Sequence, residues 1–230
     1  MPKGRDLLIR VRAVAVNPRD LKSRRNISPS AGNPVVMGYD ASGVVEATGP
    51  DVTLFRPGDH VFYAGVLDRQ GANAEFQLVD ERITGIKPAA LSFEAAASVP
   101  LTGLTAWEML FDRLQLSVNG DADQTLLMLG GAGGVPCMAI QLARTLSRVN
   151  IIGTASRQES VRAVRGFGAH YVLDHSCALA PQVASLAGLP PLPGFSQRTP
   201  RHLPGKIWPK LLPHKAVSDS STTLNHWICV

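Results

Sequence analysis

The chain is poor in the residues that announce several kinds of protein. Its three cysteines, Cys137, Cys177 and Cys229, are scattered through 230 residues and form no Cys-x-x-Cys pair. Neither a disulfide framework nor a structural zinc site is therefore encoded. No run of 18 apolar residues occurs, so a membrane-spanning helix is not expected. The opening Met-Pro-Lys-Gly-Arg-Asp lacks the apolar core of a secretory leader, which makes the cytoplasm the expected location. No Ser-His-Asp or Cys-His arrangement can be assembled from spacing. The formal charge of +5 is uneven: between positions 175 and 230, Arg198, Arg201, Lys206, Lys210 and Lys215 face the single acid Asp219. The basicity belongs to the tail, and no nucleic-acid module accompanies it, so no nucleic-acid partner is expected.

What is present is concentrated in residues 125–146. Four apolar residues, Leu126 to Leu129, run into Gly130-Gly131-Ala132-Gly133-Gly134, and a helix-period segment follows from Val135. Strand, glycine turn and helix in that order open a dinucleotide-binding fold. Glycines allow a tight turn and close approach to a pyrophosphate, and the amides and dipole at a helix start favour its charge. The Gly-x-Gly-x-x-Gly pattern fails at its third glycine, where Pro136 stands. Proline is tolerated in a first helical turn, because its missing N–H would lack an intrahelical partner there.

Around this core the chain reads as two regions. Over 1–92, short strands at 6–16, 35–45, 60–64 and 74–79 alternate with turns. Asn17-Pro18-Arg19-Asp20 breaks the first strand, and residues 26–34 read as a loop. Arg56-Pro57-Gly58-Asp59 is a turn, with Pro57 at the first corner and Gly58 supplying positive φ at the second. Ser92 caps a helix, Pro100 interrupts the pattern, and helical period resumes through 105–111. Over 93–189 the elements alternate as strand 126–129, helix 135–146, strand 150–154, helix 158–167 and strand 170–173. That is half of a doubly wound parallel sheet. From 190 to 230 the expectation is an irregular tail: eight of the seventeen prolines lie beyond Asp174, and no helix or strand period persists past about Leu189. The strands that would complete the sheet are not expected there.

Taken together, these segments resemble the medium-chain dehydrogenase/reductase superfamily, in its quinone-oxidoreductase-like branch, including the subgroup called zinc-type alcohol dehydrogenase-like. The likeness is carried by Ala15-Val16-Asn17-Pro18-Arg19-Asp20, Gly38-Tyr39-Asp40-Ala41-Ser42-Gly43-Val44-Val45, and Phe55-Arg56-Pro57-Gly58-Asp59-His60-Val61. It continues through Pro100-Leu101-Thr102-Gly103-Leu104-Thr105-Ala106-Trp107, Gly130 to Val135, and Gly168-Ala169. The resemblance covers about residues 5–188. It implies an α/β protein with a β-rich GroES-like catalytic domain, whose N-terminal strand is expected to be missing, plus a partial Rossmann domain. It also implies hydride transfer from NADPH to a quinone or another activated enone or carbonyl. A homodimer is compatible with it if the chain folds.

Zinc-dependent relatives carry a cysteine near the Asn17–Asp20 turn and a His-Glu pair after Gly38; here there is no cysteine, and Tyr39-Asp40 replaces the pair. Asp40 alone is a poor zinc site, and no metal is expected. By position, Asn17 resembles the residue that reaches nicotinamide or substrate, its other reading being an Asx-turn before Pro18. Tyr39 resembles a pocket or proton-donor residue, or is an ordinary half-buried tyrosine. Thr102 resembles the threonine near the nicotinamide amide, or caps its helix. Gly131, Ala132, Gly133, Gly134 and Val135 are expected to hold the diphosphate. The second strand of the dinucleotide unit ends Thr154-Ala155-Ser156-Arg157 without the acid that NAD enzymes place on the ribose. Ser156 and Arg157 suit a 2′-phosphate instead, which favours NADPH, although Ser156 also reads as a helix cap. His175 is expected to border the adenine side.

The tail suggests an alternative. Back-translated from Lys206 to Val230 and read in a shifted frame, it is compatible with Gln-Gly-Arg-Phe, two apolar residues, Ile-Asp-Asp-Pro and a later Leu-Asp, which resembles the superfamily's continuation. The expectation is then a catalytically inactive fragment of a frameshifted or misannotated gene, non-native from about residue 195 to 205 onward. Sequencing the coding DNA tests it, and an uninterrupted frame matched by a full-length transcript rejects it.

Overall fold

A computed structural model describes residues 1–27, 34–186 and 188–189, together with the backbone of His226–Cys229. The chain divides into two compact units, Met1–Leu104 and Thr105–Val230.

The first unit is built on β1 (Asp6–Ala15), β2 (Asp40–Thr48), β3 (His60–Ala64), β4 (Phe76–Asp80) and β5 (Thr84–Ile86). They form one antiparallel sheet in the order β4-β1-β2-β3-β5. Alternation along the strands sends Leu7 and Ile9 of β1, Ala41 and Val45 of β2, and Val61 and Tyr63 of β3 into a single core with Ala72 and Val79. The turn at 56–59 forms as expected, with Asp59 N donating to Arg56 O at 3.1 Å and Gly58 at φ +94°. Glu81, fully buried, closes the far side: it accepts from Arg5 Nη1 (2.5 Å), Thr53 N (3.0 Å) and Leu54 N (2.8 Å).

Three expectations for this unit need correction. The Asn17-Pro18-Arg19-Asp20 break is the start of a helix, α1 (Pro18–Asn26), because proline's fixed φ suits the first helical position and Asp20 Oδ2 accepts from Asn17 N at 2.7 Å. Residues 28–33 of the expected loop lie outside the described residues. Pro100 likewise opens a helix, α3 (Pro100–Trp107), instead of interrupting one. The boundary expected at 92/93 falls between Leu104 and Thr105, because α2 (Phe93–Ala97), capped by Ser92 Oγ accepting from Ala95 N at 3.1 Å, packs on β1, β2 and β3.

In the second unit a π-helical segment, Glu108–Arg113, precedes β6 (Thr125–Met128), α4 (Gly134–Leu146), β7 (Asn150–Thr154), α5 (Gln158–Gly166), β8 (Tyr171–Leu173) and α6 (Leu179–Ala184). With β9 (His226–Cys229), the sheet is parallel in the order β8-β7-β6-β9. Strand alternation divides its side chains between two faces. Leu126, Met128 and Ile151 pack with Ile140 of α4 and Val164 of α5, whereas Leu127, Ile152 and Leu173 pack with Leu179 and Val183 of α6.

The tail is not irregular throughout. His226–Cys229 form β9, parallel to β6 with Leu127 opposite Ile228. The rest of the expected tail, 190–225 and 230, lies outside the described residues. The physical reason for the correction is the free edge of β6: its amides and carbonyls seek a partner, and Trp-Ile-Cys is a short strand-forming run too brief to show a period.

Candidate functional site

The expected site residues are divided between the two units. In the first unit the organiser is Asp40, at the start of β2 and fully buried. Its Oδ2 accepts from Asn17 Nδ2 at 2.7 Å and its Oδ1 from Leu101 N at 2.8 Å. One carboxylate thus ties the cap of α1 to the first turn of α3. Asn17 uses its Nδ2 for this link. Burial pushes the Asp40 carboxyl up to about 6, against the lowering effect of the bonds from Asn17 and Leu101, with Asp20 adding to the rise. Asp20 is itself buried, and its Oδ1 has no partner among the described residues.

Tyr39 is 8% exposed, and its hydroxyl lies 2.7 Å from Ser23 Oγ, with the Arg19 guanidinium 5.9 Å from the ring. The hydroxyl therefore bridges to α1. Thr102 does not cap its helix: its Oγ1 donates back to the carbonyls of Ser98 and Val99, both at 3.2 Å. An open cavity of ≈ 450 Å³ on this unit, lined by residues including Arg69, Gln77, Asp80 and Arg82, contains none of the expected site residues.

In the second unit the chain leaves β6, turns at Gly130 (φ +64°) and enters α4 with Gly133 as its cap. Not every amide of this turn is free to meet a ligand. Gly130 N donates to Thr154 Oγ1, Gly131 N to Thr154 O (both 2.9 Å), and Gly133 N to Gly130 O (2.8 Å). Ala132, Gly134 and Val135 keep amides without a partner among the described residues, and Pro136 has none to offer. Gly131 is a packing glycine, since a Cβ there would stand 2.9 Å from Val164 Cγ2. Ser156 and Arg157 are exposed at the end of β7 and have no side-chain partner among the described residues. The cap of α5 is Arg157, not Ser156. His175 is exposed, with Nδ1 3.1 Å from Thr154 Oγ1. Sequence reasoning missed both Thr154 and the partners of Asp40; the signal for Thr154 was a hydroxyl residue closing the strand that neighbours the glycine turn.

Residues 3–104 match the alcohol dehydrogenase GroES-like domain, in agreement with the first unit. The second unit's parallel sheet and glycine turn supply the Rossmann-like partner domain of the same proteins. The chain belongs to the medium-chain dehydrogenase/reductase superfamily. Among its members, a zinc-type alcohol dehydrogenase-like protein of Staphylococcus aureus is 46% identical over 176 residues, covering 76% of this chain and 52% of the relative. The solved structure of an alcohol dehydrogenase superfamily protein from Novosphingobium aromaticivorans is 36% identical at a TM-score of 0.71, over 80% of this chain and 55% of that one. The Escherichia coli quinone oxidoreductase, solved with NADPH, is 28% identical at a TM-score of 0.65, over 79% and 54%. The chain spans about half the length of the curated superfamily relatives it matches.

Proposed function

We propose that this chain carries the machinery of an NADPH-dependent oxidoreductase that passes hydride to a quinone or another activated enone or carbonyl without zinc. One observation carries the reading: the amides of Ala132, Gly134 and Val135, before and at the start of α4, have no partner among the described residues, nor have the side chains of Ser156 and Arg157, which follow β7 in the same unit. A helix start with open amides suits a diphosphate, and a serine and arginine in place of an acid suit a further phosphate. When bound, NADPH supplies the hydride, and the protein supplies orientation. The open amides at the start of α4 would grip the diphosphate, and Arg157 would pair with the 2′-phosphate in bidentate fashion. In the other unit, Asp40 holds Asn17 and the start of α3 in fixed register, so Asn17 and Thr102 would face a ligand as pre-organised groups.

Two observations favour the metal-independent form of the chemistry. Both oxygens of Asp40 are already taken by Asn17 and Leu101, and Tyr39 beside it brings a hydroxyl engaged by Ser23. The quinone or enone assignment follows the likeness to the E. coli enzyme.

Fluorescence titration of the purified chain with NADPH and NADH tests the proposal. NADPH is expected to bind more tightly, and Arg157→Ala to weaken NADPH about tenfold or more while leaving NADH within twofold, as expected for a lost charge-assisted pair. Equal loss for both nucleotides would remove Arg157 from the phosphate, and no binding of either would reject the nucleotide reading.

A further inference from the structure

Thr154 is fully buried at the end of β7 and grips the glycine turn by two atoms: Oγ1 accepts from Gly130 N and the carbonyl from Gly131 N. Gly130 itself is exposed, and nothing stands within 4 Å of where its Cβ would be, so no side chain of its own can anchor the turn. The carbonyl of this left-handed residue is held by Gly133 N, and its amide is held by the threonine hydroxyl. That hydroxyl has a second neighbour, His175 Nδ1, 3.1 Å away.

A hydroxyl has one hydrogen and two lone pairs. Because Gly130 N donates to Oγ1, the threonine hydrogen is free to go to Nδ1, which accepts it when the imidazole is neutral and protonated on Nε2. A hydroxyl that donates in this way is the stronger acceptor for Gly130. A second proton on the imidazole turns Nδ1 into a donor. Oγ1 must then accept from both sides, and the donation that strengthened its bond to Gly130 is lost. The charged neighbour coupled to His175 is Asp174, kept ionised chiefly by bonds from Ser176 to its carboxylate; on the side of β7 and the turn, the bonded groups Thr154 and Gly130 do not titrate.

We propose that Thr154 is a positioning residue for the nucleotide turn and that His175, through the Thr154 hydroxyl, makes the hold on Gly130 depend on the protonation of an exposed imidazole. The inference rests on reading this turn as the diphosphate site.

Amide resonances of the full chain without nucleotide, followed over roughly pH 5.5 to 8, test the relay across the histidine range. The Gly130 amide is expected to move in step with the His175 ring resonances. Thr154→Ser should keep that movement, whereas Thr154→Val and the surface change His175→Ala should each abolish it. NADPH affinity should fall about tenfold in Thr154→Val and stay within about threefold in Thr154→Ser, the scale of one lost buried hydrogen bond. A Gly130 amide indifferent to His175 in the wild type overturns the relay, and native NADPH affinity in a folded Thr154→Val overturns the positioning role. If the wild type binds no NADPH, the nucleotide reading fails, while the Gly130 titration still decides the relay. His175→Ala keeps the relay decidable should Thr154→Val fail to fold.

Discussion

Asp40 shows how a single buried carboxyl is used for geometry at a cost in stability. It ionises near 3.8 in an unfolded chain and at about 6 in the fold, so the fold favours its neutral form. Its contribution to stability is therefore fully present below pH 3.8 and is lost as pH rises through 6, a change of about 3 kcal/mol. Asp40→Asn keeps an acceptor for Leu101 and, with the Asn17 amide turned over, a bond to Asn17. The variant is expected to be more stable than the parent above pH 6 and to have no advantage at pH 4, read from urea unfolding at both values. A pH-independent gap would show that Asp40 is not the group that titrates. The site was only partly legible here: Asn17 and Asp40 stood out as residue types in a pattern, but their bond spans 23 positions and needed the sheet to bring them together.

Among the elements, those whose limits depend on local pattern were readable and those whose limits depend on neighbours were not. β3 and β7 begin and end where apolar alternation and flanking turns place them, and Ser92 caps α2 as expected. α1 was hidden because Pro18 reads equally as a breaker and as a first helical residue; the Asp20 bond to Asn17 N decides for the helix. Gly153 gives the element-scale test. A Cβ there would lie well inside van der Waals contact with Val164 Cγ1, so β7 and α5 meet only because the strand lacks a side chain at that point. Gly153→Ala should cost about 1–3 kcal/mol by overpacking. Val164→Ala in the same chain should recover part of it, giving a double-mutant cycle with favourable coupling measured by thermal or urea unfolding. Additive losses would mean that the two elements do not share that contact.

For the molecule as a whole, the two units have separate cores, and the sheet of the second takes in a strand from a distant part of the chain. β9 pairs with β6 across about a hundred residues of sequence. Ile228→Pro puts a strand-breaking residue into that ladder and should lower the hydrogen-exchange protection of Thr125–Met128 while leaving Asp6–Ala15 and Asp40–Thr48 unchanged. Unaltered protection in β6 would reject the pairing. The amino-acid sequence by itself determined the β-rich unit, the alternating α/β unit and the glycine turn, because period and turn chemistry are properties of neighbouring residues. Only the tertiary structure decided which amides of that turn remain open, since Thr154 reaches two of them from the end of another strand. It also decided where the sheet ends, because a strand edge accepts whichever segment is brought beside it, whatever separates them along the chain.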